Sequence, residues 1–227
     1  MTEIDVNRLW LKSYDREVSP NLQYEPAPLF SYLDRNVQKT PHHTAITFNN
    51  WNISYKQLGQ LSDNLAANLC AAGLRQGDKV AVMLPNTPQT IISYWGILKA
   101  GGIVVMTNPL YMEKEIEHHF SDSGARFLII LDLVWPKIEP WFKTLPLEQV
   151  FITSIADCLK FPLNLLYSLK KRREKNFQPL SFHQHIHPWR KLSTFSSVIS
   201  ARSSTSICLM TEFMSLSVSR RKLSFSS

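Results

Sequence analysis

The chain has 227 residues, 44% hydrophobic and 19% charged, a composition that suits one large folded domain or two small ones with a real core. Its formal net charge of +7 is unevenly placed: residues 1–150 hold 13 Lys+Arg against 15 Asp+Glu, whereas residues 151–227 hold 12 against 3. Three scattered cysteines, Cys70, Cys158 and Cys208, exclude a disulfide framework and a cysteine zinc site, and basic residues clustered once and then sparse argue against nucleic acid as a partner.

The N-terminus, Met1-Thr2-Glu3-Ile4-Asp5, is acidic rather than basic-then-apolar. The cleanest apolar run, Phe127 to Leu131, falls far short of the roughly 20 residues that span a bilayer. The expectation is a cytoplasmic protein without signal peptide or transmembrane helix.

Leu29, Phe30, Leu33 and Val37 recur at helical spacing up to Thr40-Pro41. Thr44 to Phe48 and Trp51 to Tyr55 flank Asn49-Asn50, a pair that tolerates the left-handed region, so a β-hairpin is expected. Ser54-Tyr55-Lys56-Gln57 has the capping-box pattern, and Leu58, Leu61, Leu65 and Leu69 then form one stripe of a helix capped at Gly73. Lys79 to Leu84 reads as a buried strand stopped by Pro85, and Thr87-Pro88 opens a helix expected to bury Ile91, Trp95 and Leu98. Ile103 to Met106 is the next strand.

A third cycle places Glu113 to Ser123 in a helix with Ile116 and Phe120 inward, Gly124 as its cap, and Phe127 to Leu131 in a strand. A weaker fourth takes Lys137 to Thr144 as helix and Val150 to Thr153 as strand. Helices alternating with uninterrupted apolar strands predict an α/β fold with a mostly parallel sheet covered on both faces.

The chain then changes character. Leu159, Phe161, Leu163, Leu165, Leu166 and Leu169 run into Lys170-Lys171-Arg172-Arg173, the pattern of an amphipathic helix with a basic end. Lys170, Lys171, Arg172 and Arg173 are therefore candidates for meeting an anionic membrane surface, peripherally and on its inner side. The plainer reading buries the leucines in the domain and leaves the basic end in water. Beyond Leu192, 13 of the 35 residues 193–227 are serine, with no glycine, no proline and one acidic residue, Glu212. The expected division is an extension at 1–21, the α/β part at 22–191 and an irregular serine-rich tail at 192–227.

Three ordered stretches carry a family resemblance. Ile53-Ser54-Tyr55-Lys56-Gln57-Leu58 and Leu98-Lys99-Ala100-Gly101-Gly102-Ile103-Val104-Val105 resemble two core motifs of the adenylate-forming acyl-CoA synthetases, with Gly77-Asp78-Lys79-Val80-Ala81 and Leu84-Pro85-Asn86 between them. Thr107-Asn108-Pro109-Leu110-Tyr111, Glu115-Ile116-Glu117-His118 and Asp122-Ser123-Gly124-Ala125 are similar to the run that marks long-chain fatty-acid–CoA ligases. Phe161 to Tyr167 and Ile186-His187-Pro188-Trp189 extend the likeness to about residue 190.

The resemblance implies the N-terminal portion of the adenylate-forming fold. It also implies a reaction in which ATP and Mg²⁺ convert a fatty acid to an acyl adenylate with release of pyrophosphate, and the CoA thiol then displaces AMP. The family's glycine-rich phosphate loop is expected soon after Pro188-Trp189, yet all seven glycines lie at or before Gly124. No catalytic, cofactor-binding or metal-binding residue is therefore carried over, and the 227 residues are expected to be inactive alone and to bind ATP, Mg²⁺ or CoA unproductively. Serine, leucine and arginine have the most codons, so the abrupt tail suggests a lost reading frame. A noncatalytic scaffold and an adenylating ligase for another carboxylic acid stand as alternatives.

Shorter matches give weaker signals. Met210-Thr211-Glu212 resembles the family's magnesium triplet out of context and reads as chance. His183-x-His185-x-His187 lacks a fourth ligand and an acidic partner, so a solvated histidine loop is preferred to a metal site. His42-His43 and His118-His119 read as a turn and a helix face.

Overall fold

The computed structural model describes residues 8–49, 51–173, 180, 182 and 185–193. After a short 3₁₀ turn at Leu9–Ser13, the chain forms α1 (Phe30–Lys39), β1 (Thr44–Phe48), β2 (Trp51–Ser54) and α2 (Tyr55–Ala71). It continues as β3 (Lys79–Met83), α3 (Pro88–Lys99), β4 (Ile103–Met106), α4 (Glu113–Ser123), β5 (Phe127–Leu131) and α5 (Trp135–Ile138). The last elements are β6 (Gln149–Thr153), α6 (Leu163–Arg172), β7 (Ile186–Pro188) and α7 (Arg190–Ser193).

β1 and β2 pair antiparallel as a separate hairpin, with Asn49 at φ 46° in its turn. The five remaining strands form one parallel sheet in the order β4-β3-β5-β6-β7. Parallel neighbours require crossovers, and the expected right-handed sense puts α3 on one face and α4 and α5 on the other.

β5 (Phe-Leu-Ile-Ile-Leu) is buried at every position, as are the last four residues of β3 and of β6. β4 is an edge strand, and its ends Ile103 and Met106 are 47% and 51% exposed, while the sheet as a whole is flanked by helices on both faces as expected. The expected fourth helix is also different: α5 covers only Trp135–Ile138, and a 3₁₀ turn takes Glu139–Trp141, where Pro140 lacks the N–H that would continue the helix.

Local signals set the helix ends. The Ser54 hydroxyl accepts from the Gln57 backbone N–H at 3.3 Å while the Gln57 side-chain Oε1 accepts from the Ser54 N–H at 2.9 Å, a reciprocal cap on α2. Gly124, at φ 61°, terminates α4 in a left-handed conformation.

α3 does not bury the expected stripe. Ile91 is 41% exposed and Trp95 and Leu98 are half-buried, whereas Gln89, Ile92, Ser93, Gly96 and Ile97 face inward. The small residues Ser93 and Gly96 let α3 lie close on α2. Lys99 then fastens three helices: its ammonium donates to Asp34 of α1 at 2.6 Å and to Asp63 of α2 at 2.7 Å. Burial works against the Lys99 charge, but the two carboxylates outweigh it and raise its pKa above the usual lysine value.

The core runs on to Leu192, which is 1% exposed, and its carbonyl accepts from the Asn68 side chain of α2 at 3.0 Å. Of the serine-rich tail expected at 192–227, residues 194–227, with Cys208 and Met210-Thr211-Glu212, lie outside the described residues.

A Cβ at Gly96 would stand 2.9 Å from Leu65 Cβ and 3.0 Å from the Ser62 carbonyl oxygen. Gly96→Ala should therefore lower stability by about 1–3 kcal/mol in urea titrations despite the better helix propensity of alanine. A variant as stable as the parent would show that α2 and α3 are not in close contact.

Candidate functional site

In doubly wound sheets, ligands bind beyond the carboxyl ends of the strands, where the strand order reverses. Here that point lies between β3 and β5, because β4 follows β3 on one side and β5 on the other. The segments bordering it are Leu84 to Thr87 after β3 and Asp132 after β5, with the end of β6 alongside.

Asp132 is buried, and one carboxylate oxygen pairs with the Lys171 ammonium of α6. Its other oxygen has no hydrogen-bond partner among the described residues. This pair ties α6 to the carboxyl end of the sheet. It also corrects the role of Lys171 among the four basic candidates: Lys171 is engaged with the protein, while Lys170, Arg172 and Arg173 are exposed.

Next to it, the start of α3 is clamped to the end of β6. The Gln89 amide donates to the Thr153 hydroxyl at 3.3 Å and to the Ser154 carbonyl at 3.1 Å, and its oxygen accepts from the Cys158 thiol. Thr153 passes its own hydrogen to Asp157 at 3.1 Å, and the same carboxylate oxygen accepts from the Ser154 N–H at 2.9 Å. The other Asp157 oxygen accepts from Arg190 Nη2 at 3.2 Å.

A cavity of about 280 Å³ adjoins this clamp, lined by Trp51, Leu61, Gln89, Cys158, Trp189 and Arg190 among others. Burial, with Asp157 nearby, pushes the Cys158 thiol up to about 12, so thiolate is scarce at neutral pH and the cysteine is no nucleophile. The Gln89 amide donates two hydrogen bonds and accepts one, which makes the group a structural clamp.

ATP and Mg²⁺, the cofactors that the sequence resemblance implies, need oriented N–H donors and free cations or carboxylates. Pro88 occupies the first turn of α3 and has no N–H, Arg190 is already paired, and every glycine of the chain lies at or before Gly124. Among the described residues no group of three His, Cys, Asp or Glu is placed to hold a metal ion. Among the described residues, those bordering the strand ends are engaged with one another rather than arranged around a nucleotide phosphate or its Mg²⁺.

At the amino ends of the strands, Asp78 accepts from the Arg75 N–H at 2.8 Å and from Arg126 at 3.0 Å. Arg126 also forms a two-pronged pair with Glu148 at 2.6 and 2.7 Å, which lowers the Glu148 pKa. The Gly-Asp and Lys-Ala-Gly-Gly motifs meet there, with the Gly77 N–H donating to Gly101 at 2.9 Å. They are parts of the scaffold.

The histidines are likewise structural. Lys191 donates to His187 Nδ1 at 3.2 Å, so Nε2 carries the ring hydrogen and donates to the Gln149 side chain at 2.8 Å. His185 Nδ1 lies 3.0 Å from the Glu148 carbonyl, and His183 lies outside the described residues. His119 Nε2 lies 3.0 Å from the Thr107 hydroxyl, linking α4 to the turn after β4.

The Asp132–Lys171 pair joins residues 39 apart, and no local sequence signal announced it. Lys171→Met should cost about 1–3 kcal/mol by leaving a buried carboxylate unpaired. Lys170→Met should stay within about 0.5 kcal/mol in the same urea titrations. Equal effects would remove the tether.

Comparison with known proteins places this architecture. The pattern of the AMP-binding enzyme family matches residues 33–191. A long-chain-fatty-acid–CoA ligase of Bacillus subtilis strain 168 is 43% identical over 166 residues, which are 73% of this chain and 30% of that protein. The crystal structure of the anthranilate CoA ligase AuaEII in complex with anthranoyl-AMP superposes with a TM-score of 0.53 at 27% identity, covering 55% of this chain and 24% of that one. A putative long-chain-fatty-acid CoA ligase from Rhodopseudomonas palustris CGA009 gives a TM-score of 0.58 over 75% of this chain and 37% of that one; at 15% identity it speaks for the fold alone. The chain spans about a third of the length of the curated relatives it matches.

Proposed function

This chain belongs to the AMP-binding enzyme family, and we propose that it derives from a long-chain fatty-acid–CoA ligase and that residues 1–227 by themselves do not adenylate a fatty acid. The observation behind the first half is the 43% identity to the Bacillus subtilis long-chain ligase over 73% of this chain, against 27% over 55% for the anthranilate ligase. The family reaction uses ATP, Mg²⁺ and CoA, with a fatty acid as the proposed acyl donor.

The second half rests on chemistry. Adenylyl transfer develops charge on phosphate oxygens, and enzymes stabilise it with oriented N–H donors and cations. The polar groups beyond the strand ends are instead spent on holding α3, β6, α6 and α7 together: Gln89, Asp157 and Arg190 in one network, Asp132 and Lys171 in another. The seven glycines all precede residue 125, so the rest of the sequence holds none with which to cradle a phosphate.

The purified chain should show no palmitate-dependent exchange of pyrophosphate into ATP and no palmitoyl-CoA formation, since loss of even one oriented donor costs roughly 10²–10³ in rate. Turnover by clean protein would overturn the inactivity. The lineage is tested separately by replacing the matched 166 residues of the Bacillus subtilis ligase with those of this chain. The chimera should activate palmitate in preference to anthranilate; a folded chimera that prefers anthranilate would reverse the assignment.

A further inference from the structure

Helix α6 is mounted with its apolar side outward. At 100° per residue, Leu165, Leu166 and Leu169 lie within an arc of about 100°, and Asn164, Tyr167, Ser168 and Lys171 fill the opposite arc. An ordinary surface helix would turn the leucines inward. Here the other side is half-buried and is held down by the Lys171–Asp132 pair, while Leu165, Leu166 and Leu169 are 51%, 56% and 45% exposed. The plainer sequence reading, leucines packed in the core with a solvated basic end, is thus corrected: no residue of α6 is buried. A buried ion pair has decided which side faces the domain.

The exposed stripe continues past the helix start, where Leu163 is 50% and Phe161 78% exposed. An open groove of about 470 Å³ runs beside it, lined by Leu159, Leu163, Leu166, Tyr167, Lys170 and Asn49. Arg172 lies about 20° from Leu165 on the wheel and Lys170 about 40° beyond Leu166, so cations flank the leucine arc on both sides, while Arg173, at the C-cap, falls between Leu169 and Leu166. α6 contains no acidic residue, and among the described residues no ion pair engages Lys170, Arg172 or Arg173.

An apolar stripe bordered by cations matches the boundary of an anionic lipid leaflet, where leucines enter the acyl region and lysine or arginine meets phosphate. A protein partner would have to supply both an apolar ridge and acidic margins on each side of it. No helix among the described residues is long and apolar enough to cross a membrane. We propose that α6 docks the chain peripherally on an anionic lipid surface through Phe161, Leu163, Leu165, Leu166 and Leu169, with Lys170, Arg172 and Arg173 supplying the charge attraction. Lys171 is the internal tether that fixes the helix in this orientation.

The test is co-sedimentation of the full 227-residue chain with phosphatidylglycerol or phosphatidylcholine vesicles at low and high salt. Binding is expected to phosphatidylglycerol only, and to weaken as salt rises, because the attraction acts within about 10 Å at 0.1 M. Neutralising Lys170, Arg172 and Arg173 to Gln should lower partitioning on the order of 100-fold, about fivefold per residue. Leu165, Leu166 and Leu169→Gln, which keeps helix propensity, should abolish it with unchanged circular dichroism. Three outcomes overturn the proposal: no binding of the parent at low salt, binding by either variant as strong as the parent's, or a lipid-free dimer of the parent that the leucine variant converts to monomer. None of these measurements uses ATP, CoA or fatty acid, so the docking reading and the ligase reading succeed or fail independently.

Discussion

The closeness of α3 to α2 at Gly96 is the constraint on which the rest of the domain depends. α3 is the crossover between β3 and β4, so its position fixes the first parallel pair. α2 in turn receives α1 through Lys99 and Asp63, and α7 through Asn68 and Leu192. Any side chain larger than hydrogen at residue 96 pushes these layers apart. Ser62, fully buried opposite it, shows the same preference for small volume over hydrophobicity at this contact.

That preference also marks the limit of what the sequence discloses. Strand and helix order were legible because they rest on local signals: the Ser54/Gln57 cap, the Gly124 stop, and the uninterrupted Phe127 to Leu131 run. The buried face of α3 was not, because counting large apolar residues selects Ile91, Trp95 and Leu98, whereas the packed face is built on Ser93 and Gly96. The orientation of α6 was equally hidden. Its leucines fit either an inward face or a lipid surface, and the ion pair of Lys171 with the distant Asp132 is a contact that no local pattern announces.

Polar groups divide between the two ends of the sheet in a way that bears on chemistry. At the amino ends, Asp78, Arg126 and Glu148 form an ion-pair cluster that the family-like motifs converge on, far from where a doubly wound sheet binds ligands. At the carboxyl ends, Gln89, Thr153, Asp157 and Arg190 satisfy one another. A reactive centre needs a group poised to exchange a proton or stabilise new charge, and in both clusters the named side chains are paired with one another, which is what motivates the proposed inactivity. The sequence was informative here through its glycines: with none after residue 124, the motifs it retains are those that build the scaffold.

On α6, exposed leucines and exposed cations share one side of the helix. Its inverted mounting is costly in isolation, since leucine side chains gain nothing from water and Asp132 had to be desolvated to hold Lys171. An occupant of the apolar arc would offset part of that cost. Charges at its margins narrow the choice, because a protein ridge gains from one complementary edge, whereas a lipid leaflet presents anionic headgroups on every side of an inserted helix. The separation of labour within one run of four cations, with Lys171 inward and Lys170, Arg172 and Arg173 outward, follows from helical geometry alone once Asp132 has claimed its partner.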